Sequence, residues 1–397
     1  MPLVDGKLLI VGRPATKDGA ATWLRCKQHL DFLVRQDLAH CPVAVGDDDE
    51  ELEWKAMCMG DVFVSNGWPT ERMMGLAHDW LSRGKKWVWD LDDDPLSVSP
   101  YNSAYRHFGL EEVPLDEPSP DGRRWLWKDG FEGFELEANN NRHESFLKIL
   151  GHVTAITTTT DYLATKIRRL APSTPIYVRP NVLDFEEIWT RRSEPKQESI
   201  LHILYQGGSS HYLDMDMVLP VLKDVAEQYP HVRFVFLGDT KAHAAKMIPE
   251  DRIEHYDWTG DYETYAIRAA KLRPDIAIAP LYMGDELHAE FNRGKSCLKW
   301  LDAAALGVPC VASWETPYQE VINFGSVPDV KWNGMLAKSL DDWRNCLGTL
   351  IENPEAREVI GNNAYHDAVT KWNAADFAPM HLGQYEEIVN GNHHAQN

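Results

Sequence analysis

Short apolar runs alternate with amphipathic stretches along the chain. Residues 7–12, "KLLIVG", form an apolar run ending in Gly, and a polar loop then enters "AATWLRCKQHLDFLV". This reads as strand, loop, helix. "DVFVSNG" (61–67) and "KKWVWDLDDD" (85–94) predict two further strands, with the helix "TERMMGLAHDWLSRG" between them. Residues 95–142, with their Pro, Asn and Trp, read as an inserted loop region near a site. "ESFLKILGHV" predicts a helix. In "TAITTTTDYLATKIRRL" a β-branched run passes into another helix, with Thr160 or Asp161 as its N-cap. "PIYVRPNVLD" (175–184) is a strand with a Pro-Asn turn, and 185–199 is polar and charged enough to be a linker.

After the linker the pattern restarts. "ILHILYQGG" (200–208), "VRFVFLGD" (232–239), "PDIAIAP" (274–280) and "VPCVAS" (308–313) read as strands, separated by helical stretches such as "DMVLPVLKDVAEQY". A long helical tail begins at "SLDDWRNCLGTLIENPEAREVIG". Strands alternating with helices imply parallel sheets. The expected fold is α/β, with two Rossmann-like, doubly wound units in tandem over 1–184 and 200–375. In such sheets ligands bind at the carboxyl ends of the strands, and in a tandem pair those ends can face one cleft.

Composition narrows the function classes. The chain has 397 residues, 44% hydrophobic and 25% charged, as in an ordinary soluble globular protein. No apolar stretch is long enough to span a bilayer, and "MPLVDGKLLIVGR" reads as a first strand and not as a secretory leader. The six cysteines form no C-x-x-C pair, which fits a reducing cytoplasm and argues against cysteine-held zinc. A formal net charge of −21 disfavours generic binding to nucleic acid or anionic lipid. The fifteen Trp offer faces for sugar or base stacking, although most of such rings serve core packing. The first strand is not followed by G-x-G-x-x-G, so a nicotinamide site is not indicated.

Five stretches carry candidate chemistry. In "EFNRGKSCLKWLDAAALGVPCVAS" (290–313) a helix is expected to start near Lys295, with Lys295, Lys299 and Asp302 on one face and Leu298, Leu301 and Ala305 on the other. Asn292, Arg293 and Gly294 precede that start. The amides of Lys295 and Ser296 would then meet an anion, and Asp302 would meet ribose hydroxyls. The alternative is an amphipathic helix with a solvated Lys face. In "LYQGGSSHYLDMD" (204–216), Gly207 and Gly208 allow close approach to phosphate, and Ser209, Ser210 and His211 can donate to its oxygens; a plain turn is the alternative. In "WDLDDDPLS" (89–97), Asp92, Asp93 and Asp94 have three readings: a metal site, a group acting on an acceptor hydroxyl, or a helix-capping cluster. Arg25, in "GAATWLRCKQH" (19–29), either reaches a phosphate across the cleft or lies on the surface. "HYDWTGDYETY" (255–265) has acids and aromatics that can frame a base.

"FNRGKSCLKWLDAAALGVPCVAS", "VRPNVLD" and "YQGGSSH" resemble the donor-site segments of GT-B glycosyltransferases of the glycogen-synthase-like, retaining group. With "WDLDDD" and the "GAA…R" first helix, the chain looks most like a branch found in tailed phages and bacterial glycan clusters. The resemblance implies a nucleotide sugar on the C-terminal domain and an acceptor on the N-terminal one. It also implies a C-terminal helix within 376–397, ahead of a disordered tail, that crosses back to the first domain. It carries Gly208, Lys295, Ser296 and Asp302 to donor binding. Relatives have two glutamates eight positions apart, where this chain has Gly294 and Asp302. They also place an Arg and a Lys after the glycine loop, where this chain reads "SSHYLDMD". Lys295, Arg293 or Arg179 is then left to supply the charge.

The expected activity is hexosyl transfer from a UDP- or GDP-sugar to a hydroxyl on a virion protein, a modified DNA base or a glycan. Lys295 would stabilise the leaving diphosphate, while Asp92, Asp93 or His107 contacts the acceptor. Arg25, Asp94 and Asn102 would complete the acceptor side. No tightly bound cofactor is expected, and a divalent metal is permitted but not required. Competing expectations are a metal-dependent transferase centred on the Asp triplet, a nucleotide-sugar epimerase of the same build, and a non-catalytic nucleotide-sugar binding protein. The expected location is the cytoplasm, that of the host if the gene is a phage's.

Overall fold

The computed structural model describes residues 5–13, 20–41, 55, 58–66, 71–114, 126–190, 192–193, 200–208, 211–238, 244–324 and 331–391. Ser209 and Ser210, residues 191 and 194–199 of the expected linker and the tail beyond 391 lie outside the described residues.

The N-terminal sheet is parallel and has the order β1 (Ile10–Arg13), β2 (Val62–Asn66), β3 (Lys86–Leu91), β4 (Ala155–Thr158), β5 (Ile176–Val178). His40 flanks the other edge of β1, through Ile10 N–H to His40 O at 2.8 Å and His40 N–H to Leu8 O at 2.9 Å. Strand order therefore reverses about β1, which makes its carboxyl end a switch point. Strands β1, β2 and β4 are buried on both faces, as a parallel sheet covered by helices requires. One face packs against α1 (20–35), and the other against α2 (Glu71–Ser82), α3 (Leu136–Leu150) and α4 (Asp161–Leu170). Thr160 caps α4 by accepting from Leu163 N–H at 3.2 Å.

The C-terminal sheet is also parallel. Its order is β8 (Ile253–Tyr256), β7 (Val232–Gly238), β6 (Leu201–Gly207), β9 (Ile276–Ala279), β10 (Cys310–Ser313), β11 (Met335–Ala337). This 3-2-1-4-5-6 order is the doubly wound one, with its switch point between β6 and β9. On one face lie α5 (Tyr212–Gln228) and α9 (Leu340–Glu352), and on the other α6 (Tyr262–Lys271), α8 (Leu298–Ala305) and α10 (Pro354–Lys371). Six tryptophans (80, 87, 89, 127, 300 and 343) are among the most deeply buried side chains, so packing accounts for them.

Two packing contacts away from the cleft help to join the halves. Helix α11 (Ala374–Asn390) packs on α1 against the N-terminal sheet, burying Ala374, Ala378, Tyr385 and Ile388. The core of the C-terminal sheet takes in Leu24 of α1 and Leu183, Ile188 and Trp189 of the connecting chain.

One sequence expectation needs correction. No helix begins at Lys295. Residues Glu286–Gly294 form a helix, α7, capped by Asp285, and the Lys295 N–H closes its last turn on Asn292 O at 3.2 Å. Helix α8 starts three residues later. Lys295 itself is extended backbone, and the residues expected to precede the helix, Asn292 to Gly294, end the helix before it. The Lys295 amide is thus used inside α7 and does not point at an anion.

Candidate active site

A cavity of about 480 Å³ opens between the two sheets, at the carboxyl ends of β3 and β6. That size is within the range of small-molecule sites. Arg25, Asp92, Asp93 and Asn181 line its N-terminal wall; Gly207, Gly208, His211, Lys295, Ser296, Lys299 and Asp302 line the opposite wall.

The floor at β6 is shaped by glycine. Gly207 pairs in register with Gly238 of β7. Gly238 has φ +114°, and a Cβ there would lie 2.5 Å from the Gly207 carbonyl oxygen and 2.8 Å from the Trp258 ring. Only glycine fits this conformation and this space. Trp258, 46% exposed, thereby packs close against Gly238 and lines the cavity. Near Gly208 an added Cβ would touch only Trp258, at 3.8 Å, so the backbone stays open toward the cavity.

Asp302 forms the inner end. It accepts from Gln206 Nε2 at 3.0 Å, Tyr262 Oη at 3.1 Å and Tyr265 Oη at 2.8 Å. The two tyrosine rings stack with centroids 5.6 Å apart. Burial pushes the Asp302 carboxyl up to about 7, against the pull of Tyr265, Tyr262, Lys299 and Gln206. Its oxygens are thus largely engaged within the protein, whereas the sequence reading gave them to ribose.

The glycine loop leads into a second buried carboxylate. Asp214 accepts from His211 Nδ1 at 2.7 Å, Tyr282 N–H at 2.6 Å and Asn292 Nδ2 at 3.0 Å. Burial alone would raise the Asp214 carboxyl, but hydrogen bonding from His211 and His288 holds it far below the usual carboxylate range. With its Nδ1–H on Asp214, His211 presents Nε2 as an acceptor, and Lys299 Nζ donates to it at 3.2 Å.

On the opposite wall, Asp92 is pushed up to about 6 by burial, then by Asp93 and Asp90, against the pull of Arg25. Asp93 is exposed and pairs with Lys295 across the cleft at 3.6 Å. Asp94 turns away, buried in an ion pair with Lys166. The three carboxylates therefore diverge. Among the described residues no group of three or more His, Cys, Asp or Glu stands where it could hold a metal ion.

Several other expected site residues are engaged within the protein or sit elsewhere. Arg25 is buried on a π-helical turn of α1 (Trp23–Lys27) and gripped by Asp90, Nε to Oδ2 at 3.0 Å and Nη2 to Oδ1 at 2.7 Å. It also donates to Asn181 Oδ1 at 3.1 Å, so it shapes the wall and has little reach left. Asn292 is consumed by Asp214 and by Tyr282 O at 2.9 Å. Arg293 pairs with Glu290 at 3.0 Å. The Gly294 carbonyl accepts from Thr160 Oγ1 at 3.0 Å. Asn102 caps its own loop through Ala104 N–H at 2.9 Å. His107 lies on the short helix Tyr105–Phe108 and, like Asn102, is not among the cavity-lining residues. Arg179 is bound to Gln384 and Tyr385 of α11, at 2.7 and 2.6 Å.

The site also holds residues that the sequence reading did not place in it. Asn181 donates to Ser296 Oγ at 2.9 Å and so ties the two walls together. Its only signal was the Pro-Asn turn. Gln206, which precedes the paired glycines, had no signal of its own. The i, i+4 spacing of Lys295 and Lys299 was visible, yet it did not show which lysine enters the cavity unpaired with a carboxylate.

Residues 188–367 match the model of the family described as glycosyl transferases group 1. No curated protein matches the chain by sequence. Among solved structures, HepE from Anabaena in complex with UDP and glucose is similar over 96% of this chain and 99% of its own, at 12% identity and a TM-score of 0.62. Sucrose-phosphate synthase from Thermosynechococcus elongatus is similar over 97% of this chain and 100% of its own, at 12% identity and a TM-score of 0.59. A glycosyltransferase from Rickettsia africae covers 97% and 99%, at 10% identity and a TM-score of 0.57. At such identities a solved structure speaks for the fold and not for the substrate. Residues 188–367 are thus similar to the group 1 glycosyl transferases, and the chain as a whole has the two-domain GT-B fold.

Proposed function

We propose that this protein transfers a glycosyl group from a nucleotide sugar to an acceptor hydroxyl, using the cavity between its two sheets. The observation that carries this reading is the makeup of the two walls. On the C-terminal wall Gly207, the open backbone at Gly208, the Ser296 hydroxyl and a lysine pair line the space where a diphosphate would sit. Aromatic rings at Trp258, Tyr262 and Tyr265 extend that wall and suit a nucleobase. On the N-terminal wall Asp92, held near 6, faces the same space and suits contact with an acceptor hydroxyl.

Bond cleavage in the donor leaves negative charge on the diphosphate. Fixed amides and cations beside it lower the barrier without further reorganisation. HepE has been solved with UDP-glucose, which supports a UDP-sugar as the first donor to try. The resemblance to the retaining group makes retention at the anomeric carbon the expected outcome, and a phage or glycan-cluster role remains the expected setting. A protein or small-glycan acceptor suits the net charge of −21 better than duplex DNA does. No helix among the described residues is long and apolar enough to cross a membrane.

The test is a thermal-shift screen of UDP, GDP, ADP, TDP and their common sugars, with and without Mg²⁺, on the wild type and on Lys295→Ala. One nucleotide raising the melting temperature without metal, and less so in the variant, supports the reading and names the base. The anomeric configuration of the product, followed by NMR, then decides retention. Shifts that all require metal and survive Lys295→Ala would move the site to the Asp triplet and overturn it.

A further inference from the structure

We propose that Lys299, aimed by the Asp214–His211 pair, is the residue that holds the donor's diphosphate charge. This rests on the reading of the cavity as a nucleotide-sugar site and assigns a role within it that the resemblance leaves unfilled.

The glycine loop, read as "SSHYLDMD", brings no Arg or Lys to the phosphates. Among the described residues, the other basic groups weighed for this role already have partners. Arg25 is gripped by Asp90, Arg293 by Glu290 at 3.0 Å, and Arg179 by Gln384 and Tyr385. Lys295 faces Asp93 across the cleft at 3.6 Å and sits over the Phe291 ring at 4.4 Å. Lys299 differs in kind. It lines the cavity, and its hydrogen-bonded partner is the neutral imidazole of His211. A neutral acceptor fixes the direction of the ammonium without cancelling its charge. Asp214 fixes the tautomer that makes this possible, and three hydrogen bonds fix Asp214. The arrangement is a cation held in place and left electrostatically open toward a cavity, as binding of a diphosphate requires.

The groups facing Lys299 come from every element around it: His211 and Asp214 from the loop and α5, Lys295 from the turn before α8, Asp302 from α8 itself, and Asp93 from the opposite wall. Burial, then Lys295, brings the Lys299 ammonium down to about 8, against the pull of Asp214, Asp302 and Asp93. Burial, then Lys299 and Lys295, brings His211 down to about 4, so the imidazole stays neutral at ordinary pH. A bound diphosphate stabilises the ammonium. Affinity should therefore hold below pH 8 and weaken above it as the free protein loses that proton.

The experiment is titration calorimetry of UDP, GDP, ADP and TDP on the wild type, Lys299→Met, Lys299→Arg and His211→Phe, from pH 6.5 to 9.5. Lys299→Met should weaken the best nucleoside diphosphate by about tenfold or more, as loss of a charge-assisted contact does. Lys299→Arg should bind within about threefold of wild type at pH 7 but lose the weakening above pH 8, because guanidinium does not deprotonate there. The ratio of wild-type to Lys299→Arg affinity cancels the nucleotide's own ionisation. His211→Phe should bind several-fold more weakly, since it leaves the lysine without its aim. If Lys299→Met fails to fold, the pH ratio for Lys299→Arg decides alone. Wild-type affinity in Lys299→Met, or a ratio flat with pH, overturns the assignment and leaves the reading of the cavity standing. Absence of binding by the wild type to all four nucleotides overturns both.

Discussion

The sharpest consequence of the buried Asp302 concerns stability. Its carboxyl is held near 7 in the folded protein against an ordinary value of 3.8. A carboxyl raised on folding stabilises the native state only while protonated. Its contribution is complete below about 3.8 and is lost as pH rises toward about 7. Between pH 5 and the folded value lie two pH units, each worth about 1.4 kcal/mol, so the ceiling on the lost stability is roughly 2.7 kcal/mol. Asp302→Asn removes the titration while keeping an oxygen for Tyr262 or Tyr265. The assay is urea unfolding of both proteins at pH 5 and pH 8, read through exchange protection of the β6 and β9 amides. At pH 5 the variant should be the less stable of the two, because it exchanges an acceptor for an amide. At pH 8 its deficit should shrink or reverse, moving by about 2–3 kcal/mol relative to pH 5. Taking the difference of differences cancels the other titrating groups. An offset between the two proteins equal at both pH values would refute the buried, proton-holding state of Asp302.

Three further outcomes follow from the same structure. Gly238→Ala, at φ +114° and 2.5 Å from the Gly207 carbonyl, should lower stability by roughly 2 kcal/mol or more and displace Trp258, measurable as a red shift in tryptophan emission and weaker nucleotide binding. Asp93→Asn should free Lys295 from its cross-cleft partner and tighten nucleoside diphosphate binding about two- to fivefold at low salt, an effect that fades as salt is raised. His29 and His381 are buried neutral between α1 and α11, lowered well below 6.5 by burial and then by Arg179, with Arg25 and, for His381, its neighbour His29 adding to it. Their stabilisation is present above 6.5 and lost as pH falls, at about 1.4 kcal/mol per pH unit for each; protection of the α11 amides should drop accordingly on going to pH 5, and less so in His381→Leu.

The tandem α/β pattern was legible because its strands are buried on both faces and read as bare apolar runs, such as "KLLIVG" and "ILHILYQGG". The glycines at 207 and 208 were legible for the same reason, since a strand must stop where they stand. The break at Lys295 was not. The sequence pattern puts a helix start near Lys295, whereas one helix ends at Gly294, its Asn292 tied to Asp214, and the next starts at Leu298. The roles of Arg25, Asn292 and Arg293 were equally hidden. Sequence shows a charge or an amide, whereas its availability depends on Asp90, Asp214 and Glu290, the last only three residues away on α7 and the others 65 and 78 residues off. Pairing decides function here more than residue type does.

The same pairing logic describes how the cleft is held. Thr160 Oγ1 donates to Gly294 O, Tyr162 Oη to Glu290 Oε2 at 2.7 Å, and Asn181 Nδ2 to Ser296 Oγ, while Asp93 meets Lys295. All four reach from the N-terminal wall to α7 and the turn that follows it. None joins two fully buried charges, so each is worth about 0.5–1.5 kcal/mol at most, and the set is small beside the hydrophobic cores of the two sheets. Two of the four, those at Ser296 and Lys295, use groups that a diphosphate would also engage. Donor binding would therefore exchange these contacts for its own, at little net cost to the clasp. If the cavity takes a nucleotide sugar as proposed, the turn between α7 and α8 serves both as a link between the two walls and as one side of the donor site.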